Sequence, residues 1–471
     1  MYLRPIYNWI IKSSGTEVKK RRVYHNSSTY RDGGFLAHGV LKLEEIETFK
    51  EMYEKEDYAC RESACARTEL KDIVYLPLNA AKLVREFNVE VKTRGITAQL
   101  KSGRCWMFSL LNILREQVAE KCNLKEFKLS ANYIIFYDKL EKANNYLEMV
   151  IANADKPLND RMNEYILDGV GDGGYFEMAK DLVEKYGVVP ADTMPDTYQA
   201  CHTEKFLYLF NILLHKDASV LRNAVKEGKD VQALKKEMLA EIYRMECICF
   251  GKPVSSFEFS YRDEEGNFHS DAHITPKEFY EKYCAVELED YVTLTNQITD
   301  NKPLHSHYTY HFIGNMADKN NDSINVTWKE LEDACVQQLK DGKPVWFGCD
   351  SQAYGDRQTG VWDQDSFAYA SMFGIDFDME KSERLKYRVS YATHAMILTG
   401  VHLDEEGNPV RWKVENSWGE DVGKDGYFVL SEKYFREYVY EAIILKKYLT
   451  QEQLEVLAKE PVEILPWESD C

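Results

Sequence analysis

The sequence reads Gln99-Leu100-Lys101-Ser102-Gly103-Arg104-Cys105-Trp106-Met107-Phe108 where a polar loop gives way to an apolar helix. The loop contains a glycine and few apolar residues, so no regular structure is predicted before Cys105. After Cys105, apolar residues recur at helical spacing and form a broad side made of Trp106, Phe108, Leu110, Leu111, Ile113, Leu114 and Val118. Few polar residues interrupt the first turns, which predicts a deeply buried helix.

A cysteine at the start of such a helix is well placed to act as a nucleophile. The reactive form is the thiolate, and the positive end of the helix dipole stabilises it and lowers the thiol pKa. Unpaired amides of the first turn can also stabilise an oxyanion. Gln99 lies six residues before Cys105, so the loop could fold back and aim its side-chain NH2 at that oxyanion. Taken alone, a cysteine in this position is more often a buried structural thiol.

A cysteine nucleophile needs a base, and the second half of the chain contains a candidate pair. His394 opens one predicted strand and Asn416 ends another, with a short turn near Gly407 between them. Neighbouring strands would let Asn416 accept a hydrogen bond from one ring nitrogen while the other nitrogen faces the thiol. Trp418 could shield that bond from water. Each residue is ordinary alone, but together they predict a Cys-His-Asn catalytic set.

The order of the sequence patterns indicates the fold class. Helical patterns dominate the first half, at residues 41–90, 106–118, 129–155, 176–186 and 200–250. Buried strand patterns appear later, at residues 344–348, 394–401, 411–416 and 426–430. Helices first and strands later favour an α+β fold over alternating βαβ units.

Composition excludes several classes of protein. The 471 residues suffice for two or three domains or one elaborated domain, and the net charge of −19 disfavours nucleic acid and anionic membranes as partners. No run reaches the roughly 18 apolar residues of a membrane span. The short piece Trp9-Ile10-Ile11 lacks the length and order of a secretory signal. The 11 cysteines are scattered and odd in number, typical of reduced thiols, so a cytoplasmic protein is predicted.

The segments around these residues resemble one family. Ser102-Gly103-Arg104-Cys105-Trp106 is similar to the nucleophile segment of the bleomycin hydrolase / aminopeptidase C branch of papain-like cysteine peptidases. Other segments similar to that branch follow in the same order, namely Asp172-Gly173-Gly174, Pro344-Val345-Trp346-Phe347-Gly348-Cys349-Asp350, Thr393-His394-Ala395-Met396, Val414-Glu415-Asn416-Ser417-Trp418-Gly419-Glu420 and, more weakly, Phe435-Arg436-Glu437-Tyr438-Val439-Tyr440-Glu441. The similarity runs from about residue 41 to the C-terminus, and the combination is very specific.

The resemblance implies a role for each residue. Cys105 attacks the scissile carbonyl, His394 transfers the proton, and Asn416 orients His394. Gln99 and the Cys105 amide form the oxyanion hole. Gly173-Gly174 lets a substrate backbone approach closely, although an ordinary loop is the alternative. No cofactor is expected.

The resemblance also implies a papain-like fold with a large, mostly helical insertion. The expected parts are a basic N-terminal extension (1–40), a helical half with the nucleophile (41–190), the insertion (191–325), a β-rich half with the histidine and asparagine (326–445), and a C-terminal arm (446–471). The extension carries Lys19-Lys20-Arg21-Arg22 and is interpreted as a solvated arm rather than a binding arm.

Assembly and substrate class follow from the resemblance as well. A homohexameric ring with its active sites facing an inner chamber is expected. The C-terminal arm would lie in the cleft, where the terminal carboxylate meets the free amine of a peptide, and the enzyme would be an aminopeptidase. Here the tail Leu465-Pro466-Trp467-Glu468-Ser469-Asp470-Cys471 keeps the Pro-Trp pair, but it is a few residues shorter and ends in cysteine. An arm that fails to reach the cleft would permit endopeptidase activity.

The same residues are compatible with other functions. The same Cys-His-Asn set could transfer an acyl group to an amine instead of water. A non-catalytic ring scaffold is a further alternative, and the intact set argues against it. His305, His307 and His311 could share one face of a strand as metal ligands. No clear carboxylate or cysteine completes that set, so hydrogen-bonded or surface histidines are favoured and no metal is predicted.

Overall fold

The computed structural model describes residues 39–468. The predicted basic extension, residues 1–40, therefore lies almost entirely outside the described residues, as do the last three residues of the predicted arm. The described chain divides into two compact units. The smaller unit comprises residues 39–75 and 369–375, and the larger comprises residues 76–368 and 376–468.

Helices predominate in the first half of the chain and strands in the second. The α-helices are α1 (Leu43–Tyr53), α2 (Ala59–Cys65), α3 (Leu70–Val74), α4 (Pro77–Ala80), α5 (Cys105–Lys121), α6 (Ala131–Ala152), α7 (Arg161–Leu167), α8 (Phe176–Tyr186), α9 (Tyr198–Cys201), α10 (Glu204–Lys226), α11 (Val231–Phe250), α12 (Pro276–Phe279), α13 (Trp328–Lys340), α14 (Tyr369–Phe373), α15 (Lys381–Lys386), α16 (Glu432–Tyr438) and α17 (Gln451–Leu457). The strands are β1 (Val89–Glu90), β2 (Phe257–Arg262), β3 (Phe268–Ile274), β4 (Tyr291–Thr295), β5 (Ser306–Tyr310), β6 (Asn321–Asn325), β7 (Val345–Cys349), β8 (Gly355–Asp356), β9 (Val361–Trp362), β10 (His394–Leu403), β11 (Pro409–Glu415), β12 (Tyr427–Ser431), β13 (Val439–Leu445) and β14 (Val462–Ile464).

The smaller unit is helical and contains α1, α2, α3 and α14. Helix α1 has no buried residue, and the rings of Tyr53 and Tyr58 stack with their centroids 4.8 Å apart. All of the residues predicted from the sequence to form the active site belong to the larger unit.

Several elements coincide with the sequence prediction. Helix α5 begins at Cys105, and most of its residues are buried, because apolar side chains surround the helix on nearly every side. Helix α8 occupies the predicted span, residues 176–186. Residues 41–90 differ from the prediction, because helix ends at Ala80 and residues 89–90 form a strand that pairs with β10.

A 12-stranded sheet forms the β-rich part of the larger unit. Its order is β14-β5-β6-β4-β13-β7-β10-β11-β12-β9-β8, and β1 also pairs with β10. Strand β7 lies between β13 and β10 and is antiparallel to both. The register places His394 opposite Cys349 and Glu441 opposite Gly348. The start of β10 therefore lies near the middle of the sheet.

The central strands are buried on both faces. Successive side chains of β7 pack alternately on the two sides of the sheet. Trp346 belongs to the hydrophobic cluster that contains α5, whereas Val345 and Phe347 belong to the cluster that contains α13. Helix α5 packs against β10 and β7, and the Trp346 indole donates a hydrogen bond of 3.1 Å to the Trp106 carbonyl. This packing fixes the nucleophile helix against the strand that begins with the histidine.

A buried ion pair joins the same helix to β11. The Arg115 guanidinium on α5 lies 2.9 Å from the Glu415 carboxylate, and both side chains are at most 1% exposed. Glu415 is the last residue of β11 and directly precedes Asn416. Breaking a buried ion pair leaves a charge without its partner and costs considerable free energy. This contact therefore holds the asparagine turn at a fixed position relative to α5.

Residues 191–325, predicted as a mostly helical insertion, contain helices α9 to α12 and strands β2 to β6. Strands β2 and β3 form a separate two-stranded sheet, and β4, β5 and β6 join the main sheet. The combination of a helical first half with a mixed sheet is the α+β class that the sequence predicts.

Candidate active site

The structure brings Cys105 and His394 together, although they are far apart in sequence. Cys105 is partly exposed at the first position of α5. Burial alone would raise the pKa of its thiol. The charge of a protonated His394 and hydrogen bonds from that ring and from the amides of Ala395 and Trp106 outweigh burial, so the pKa is lowered. The thiol is therefore ionised at a lower pH than an ordinary cysteine.

Asn416 holds the imidazole of His394 in one orientation. The His394 Nε2–H donates a hydrogen bond of 2.9 Å to Asn416 Oδ1, and the Ser417 amide donates one of 2.7 Å to the same oxygen. Because Oδ1 accepts from a backbone amide, Nε2 must carry the proton, which leaves Nδ1 for the thiol. Both side chains are buried, Asn416 at 1% exposure and His394 at 7%.

Trp418 covers this hydrogen bond. Its indole stacks on the His394 ring with centroids 4.7 Å apart and an angle of 23° between the planes. The Arg357 guanidinium lies 4.7 Å from the centre of the same indole and forms a cation–π contact with it. A hydrogen bond that is shielded from water is stronger than one that competes with water. The position of Trp418 in the sequence predicted this shielding.

The Gln99 loop lies against the turn that carries Asn416. Gln99 Oε1 accepts a 2.7 Å hydrogen bond from the Ser417 hydroxyl, and its backbone amide donates one of 2.8 Å to the Ser417 carbonyl. Gln99 Nε2 donates one of 2.7 Å to the Ser102 carbonyl. The amide nitrogen has a second hydrogen, so the side chain is held at a fixed place while retaining a donor.

Arg104 anchors the loop from beneath. It is fully buried and makes a two-pronged contact with Asp196, at 2.6 and 3.2 Å. Its Nε donates a 2.9 Å hydrogen bond to the Ser102 hydroxyl, which in turn donates one of 2.6 Å to the Gln99 carbonyl. The Ser-Gly-Arg segment thus fixes the conformation of the loop that precedes the cysteine.

Glycine is required at positions 103 and 174, because a second chain segment approaches the backbone closely at each of them. A Cβ atom at Gly103 would lie 2.6 Å from the Cβ of Asp172, and one at Gly174 would lie 2.6 Å from the Trp106 ring. The Gly103 amide donates a 3.0 Å hydrogen bond to the Asp172 carboxylate. Burial alone would raise the pKa of Asp172. The charge of Lys139 and the hydrogen bonds that the carboxylate accepts outweigh burial and lower this pKa to about 2.

The predicted pair Gly173-Gly174 lies beside the nucleophile helix. The Trp106 indole donates a 2.9 Å hydrogen bond to the Asp172 carbonyl, and the Lys142 ammonium donates one of 2.7 Å to the Gly173 carbonyl. Both glycines are partly exposed. The pair thus forms a fixed and side-chain-free edge next to Cys105.

Two carboxylates near this site were not identified from the sequence. Glu441 and Glu177 line a cavity next to the glycine edge together with Tyr175. The sequence contained one signal for Glu441, because it is a glutamate within β13, a strand whose other residues are almost all buried and apolar. Its partner Glu177 gave no such signal, because it lies in the first turn of an amphipathic helix, where acidic residues are common.

His305, His307 and His311, the alternative metal ligands, have separate partners. His305 Nε2 lies 3.0 Å from Glu330, His307 Nδ1 lies 2.9 Å from the Lys459 carbonyl, and His311 Nε2 lies 3.6 Å from Glu463. Among residues 39–468, no three His, Cys, Asp or Glu side chains are grouped as metal ligands.

Every helix in the described part of the chain is too short or too polar to span a lipid bilayer.

Comparison with known proteins identifies the family. The profile of the Peptidase C1-like family matches residues 40–470. Aminopeptidase C of Listeria innocua is 40% identical over 432 residues, which cover 91% of this chain and 98% of that protein. Aminopeptidase G of Lactobacillus delbrueckii subsp. lactis is 41% identical over 413 residues, covering 86% and 93%.

A solved structure agrees with these sequence matches. The crystal structure of PepW from Lactobacillus rhamnosis superposes with a TM-score of 0.89 at 37% identity, covering 91% of this chain and 98% of that one. This likeness confirms the predicted fold class. The chain belongs to the Peptidase C1-like family and is a cysteine peptidase whose relatives are aminopeptidases.

Proposed function

We propose that this protein is a cysteine aminopeptidase that removes N-terminal residues from peptides through Cys105, His394 and Asn416. One observation carries the proposal. The Cys105 thiol at the start of α5 is hydrogen-bonded to His394, and His394 is fixed by its 2.9 Å hydrogen bond to Asn416. This is the arrangement of nucleophile, base and orienting group that acyl transfer requires.

The reaction follows from these positions. The Cys105 thiolate attacks the scissile carbonyl carbon and forms a carbon–sulfur bond, while the carbonyl oxygen becomes an oxyanion. Protonated His394 then donates its Nδ1 proton to the leaving amine as the carbon–nitrogen bond breaks. Neutral His394 next removes a proton from water, whose oxygen attacks the acyl carbon. The carbon–sulfur bond then breaks, which releases the N-terminal residue as a free acid and restores the thiolate and protonated His394. Asn416 keeps the ring aligned in both steps.

Two donors are proposed to stabilise the oxyanion. Cys105 is the first residue of α5, so its amide has no partner within the helix. The second donor is the remaining hydrogen of Gln99 Nε2, whose other hydrogen is committed to the Ser102 carbonyl. Because the loop is held by Arg104 and Ser417, these donors do not have to reorganise as charge develops.

The C-terminal arm is proposed to restrict the enzyme to substrates with a free N-terminus. Strand β14 pairs with β5, the Arg161 guanidinium lies 4.9 Å from the Trp467 ring centre, and the Glu468 carbonyl accepts a 3.1 Å hydrogen bond from Asn301. The arm is thus tied to the larger unit up to Glu468. The proposal places the terminal carboxylate, which lies outside the described residues, against the α-amine of the substrate.

The decisive experiment compares leucine coupled to a fluorogenic amine with the same compound blocked at its α-amine. The proposal expects cleavage of the free-amine compound and at least a hundredfold lower kcat/KM for the blocked one. Deletion of residues 469–471 is expected to reduce that ratio, because the shortened chain ends three residues earlier and its terminal carboxylate is withdrawn from the position proposed to select the amine. Equal cleavage of both compounds by the intact protein would make it an endopeptidase instead.

Replacing Asn416 with alanine is expected to lower kcat by about ten- to a hundredfold without abolishing activity. Asn416 orients the base and transfers no proton, and Trp418 still stacks on the ring. Asn408→Ala, in the exposed turn between β10 and β11, serves as the matched control. Complete loss of turnover in a folded Asn416→Ala protein would contradict the orienting role.

We also propose a homohexamer that acts on peptides in the cytoplasm and binds neither nucleic acid nor membranes. The net charge of −19 supports the last two points, since an acidic surface repels phosphate groups. The assembly follows from family resemblance. Sedimentation equilibrium tests it, and a monomer at micromolar concentration would refute it.

A further inference from the structure

Arg115, on the nucleophile helix α5, contacts both of the chain segments that lead to other proposed active-site residues. Its Nη2 donates a 2.9 Å hydrogen bond to the Glu415 carboxylate, and its Nη1 donates one of 2.9 Å to the Gly95 carbonyl. Glu415 directly precedes Asn416, and Gly95 lies four residues before Gln99. One guanidinium therefore joins the helix that carries the nucleophile to the segments that carry the orienting group and the proposed oxyanion donor.

This guanidinium belongs to a cluster of two arginines and two glutamates. Arg115 Nε donates a 2.8 Å hydrogen bond to Glu116 Oε1, and the Arg94 guanidinium lies 3.2 Å from Glu116 Oε2. Arg115 is fully buried, and Glu116 and Glu415 are 6% and 1% exposed. A buried charge is far more costly without its partner than with it, so the cluster holds its members in one arrangement.

Hydrogen bonds also connect the two segments to each other and to α5. The Gly419 amide donates a 3.0 Å hydrogen bond to the Thr97 carbonyl. Asn112, which lies on α5 about one turn closer to the nucleophile than Arg115, donates a 3.0 Å hydrogen bond to the Thr97 hydroxyl. A shift of either segment at Arg115 therefore moves the other segment as well, together with the active-site residue that it carries.

Arg115 itself is remote from the chemistry. It lies ten residues after Cys105, which corresponds to about 15 Å along the axis of the helix, and it is fully buried. Any effect of this residue on the rate must therefore pass through the positions of other groups. Such effects are large, because a displacement of about 1 Å at a reacting group lowers a rate by about 10²-fold.

We propose that Arg115 is a positioning residue of the active site, which sets the places of Asn416 and Gln99 relative to the nucleophile. The inference rests on the proposed Cys-His-Asn mechanism. It adds to that mechanism a residue that touches neither the substrate nor the reacting atoms, and that acts through its contacts with Glu415 and Gly95.

Loss of the ion pair has a specific consequence for the thiol. Without the contact between Arg115 and Glu415, the turn that carries Asn416 is no longer fixed against α5. The His394 ring then loses its alignment, and with it the hydrogen bond and the charge that lower the pKa of Cys105. A substitution that only loosened the fold elsewhere would leave this pKa where it is.

The test uses Arg115→Met combined with Glu415→Gln. Arg115→Met alone would leave a buried carboxylate without its counter-charge, whereas the double substitution removes one charge of each sign. We expect kcat for the leucine fluorogenic amide to fall by about ten- to a hundredfold and KM to change by less than about threefold, because the displaced groups act on the transition state. An unchanged kcat in the folded double variant overturns the proposal.

Alkylation of Cys105 separates this proposal from the proposed reaction, because it requires no turnover. The rate of its reaction with iodoacetamide is measured against pH by mass spectrometry of the peptide that contains Cys105. In the double variant, the fall in rate on acidification is expected to move to higher pH by about one unit. A profile identical to that of the wild type overturns the proposal, even if the wild-type protein cleaves the amide. If the wild-type protein cleaves no amide, the proposed function fails, and the alkylation profile still decides the role of Arg115.

A second ion pair provides the matched control. Lys235 on α11 and Glu148 on α6 are 12% and 38% exposed and form an ion pair between two helices that carry none of the proposed catalytic residues. Lys235→Met combined with Glu148→Gln is expected to leave kcat and the alkylation profile unchanged. An equal effect of this control substitution on both measurements overturns the proposal, because the effect would then be one of general stability.

A conservative variant covers the case in which the double variant does not fold. Arg115→Lys retains the positive charge within the cluster, but its single nitrogen cannot reproduce the planar fork that reaches both Glu415 and Gly95. We expect a fall in kcat and a shift of the alkylation profile in the same directions. An unchanged kcat together with an unchanged profile in Arg115→Lys overturns the proposal.

Discussion

Replacing Cys105 with alanine is expected to lower kcat for an aminoacyl amide by roughly 10⁶-fold while leaving the protein folded. The proposed reaction passes through a carbon–sulfur bond, so no other group in the site can replace the thiol. Cys105 is partly exposed, and the loss of one sulfur atom there changes the free energy of unfolding by less than about 1 kcal/mol.

Steady-state kinetics and circular dichroism measure the two halves of this prediction. Cys60→Ala is the matched control, because Cys60 is exposed and belongs to the smaller unit. It should retain wild-type turnover. Substantial activity in the Cys105→Ala protein would refute the proposed mechanism, and loss of structure would leave Cys105 with a structural role instead.

The pH dependence of alkylation tests the ionisation of the same thiol. Because the pKa of Cys105 is lowered, its reaction with iodoacetamide should stay fast below the pKa of an ordinary thiol, about 8.5. The rate falls only when acid protonates the thiolate. Burial raises the pKa of Cys349, which lies next to the site in β7, so that thiol should not compete. A rate that falls together with that of a free thiol would contradict the lowered pKa.

Replacing Arg104 with methionine is expected to destabilise the protein by about 3 kcal/mol and to lower kcat as well. The substitution retains an apolar stem but removes the two contacts with Asp196 and the bond to Ser102. A partly buried carboxylate loses its counter-charge, and the loop that holds Gln99 loses its anchor. Urea denaturation measures the first effect, and kcat for the leucine amide measures the second.

A surface pair provides the comparison for Arg104. Lys433 and Asp365 lie 2.7 Å apart, but their side chains are 48% and 67% exposed. Lys433→Met should therefore cost less than about 1 kcal/mol and leave kcat unchanged. Asp196→Asn combined with Arg104→Met should recover part of the lost stability, because neither charge is then left alone. Equal effects of the Arg104 and Lys433 substitutions would contradict the anchoring role.

Local sequence patterns predicted the elements that carry the proposed catalytic residues. The apolar spacing after Cys105 predicted α5 from its first residue, and alternation and turn signals predicted strands that begin at His394 and end near Asn416. Proximity of these three residues followed from their joint occurrence and the family resemblance. The basic extension and the tip of the arm lie outside the described residues, and the domain boundaries, the insertion and the hexamer stay predictions.

Contacts that depend on the order of the strands in the sheet could not be predicted from the sequence. Glu441 reaches the space above Gly348 only because β13 and β10 flank β7, and no local pattern states which strands are neighbours. Asp196 pairs with Arg104 across 92 residues, in a segment whose own residues indicate only a turn. Gln99 was expected near the oxyanion, but its bond to the Ser102 carbonyl depends on Leu100, which adopts a positive φ of 54°.

The separation of Cys105 and His394 has a consequence for the protein during its own synthesis. When helix α5 ends at Lys121, the ribosome still has 273 residues to add before the imidazole of His394 exists. At about 5 to 20 residues per second, that interval lasts roughly 15 to 60 s. Until β10 forms, the nascent thiol has neither the histidine nor the Ala395 amide that lower its pKa. On the proposed mechanism, the growing polypeptide is thus inert at the ribosome, and hydrolytic power arises only as translation ends.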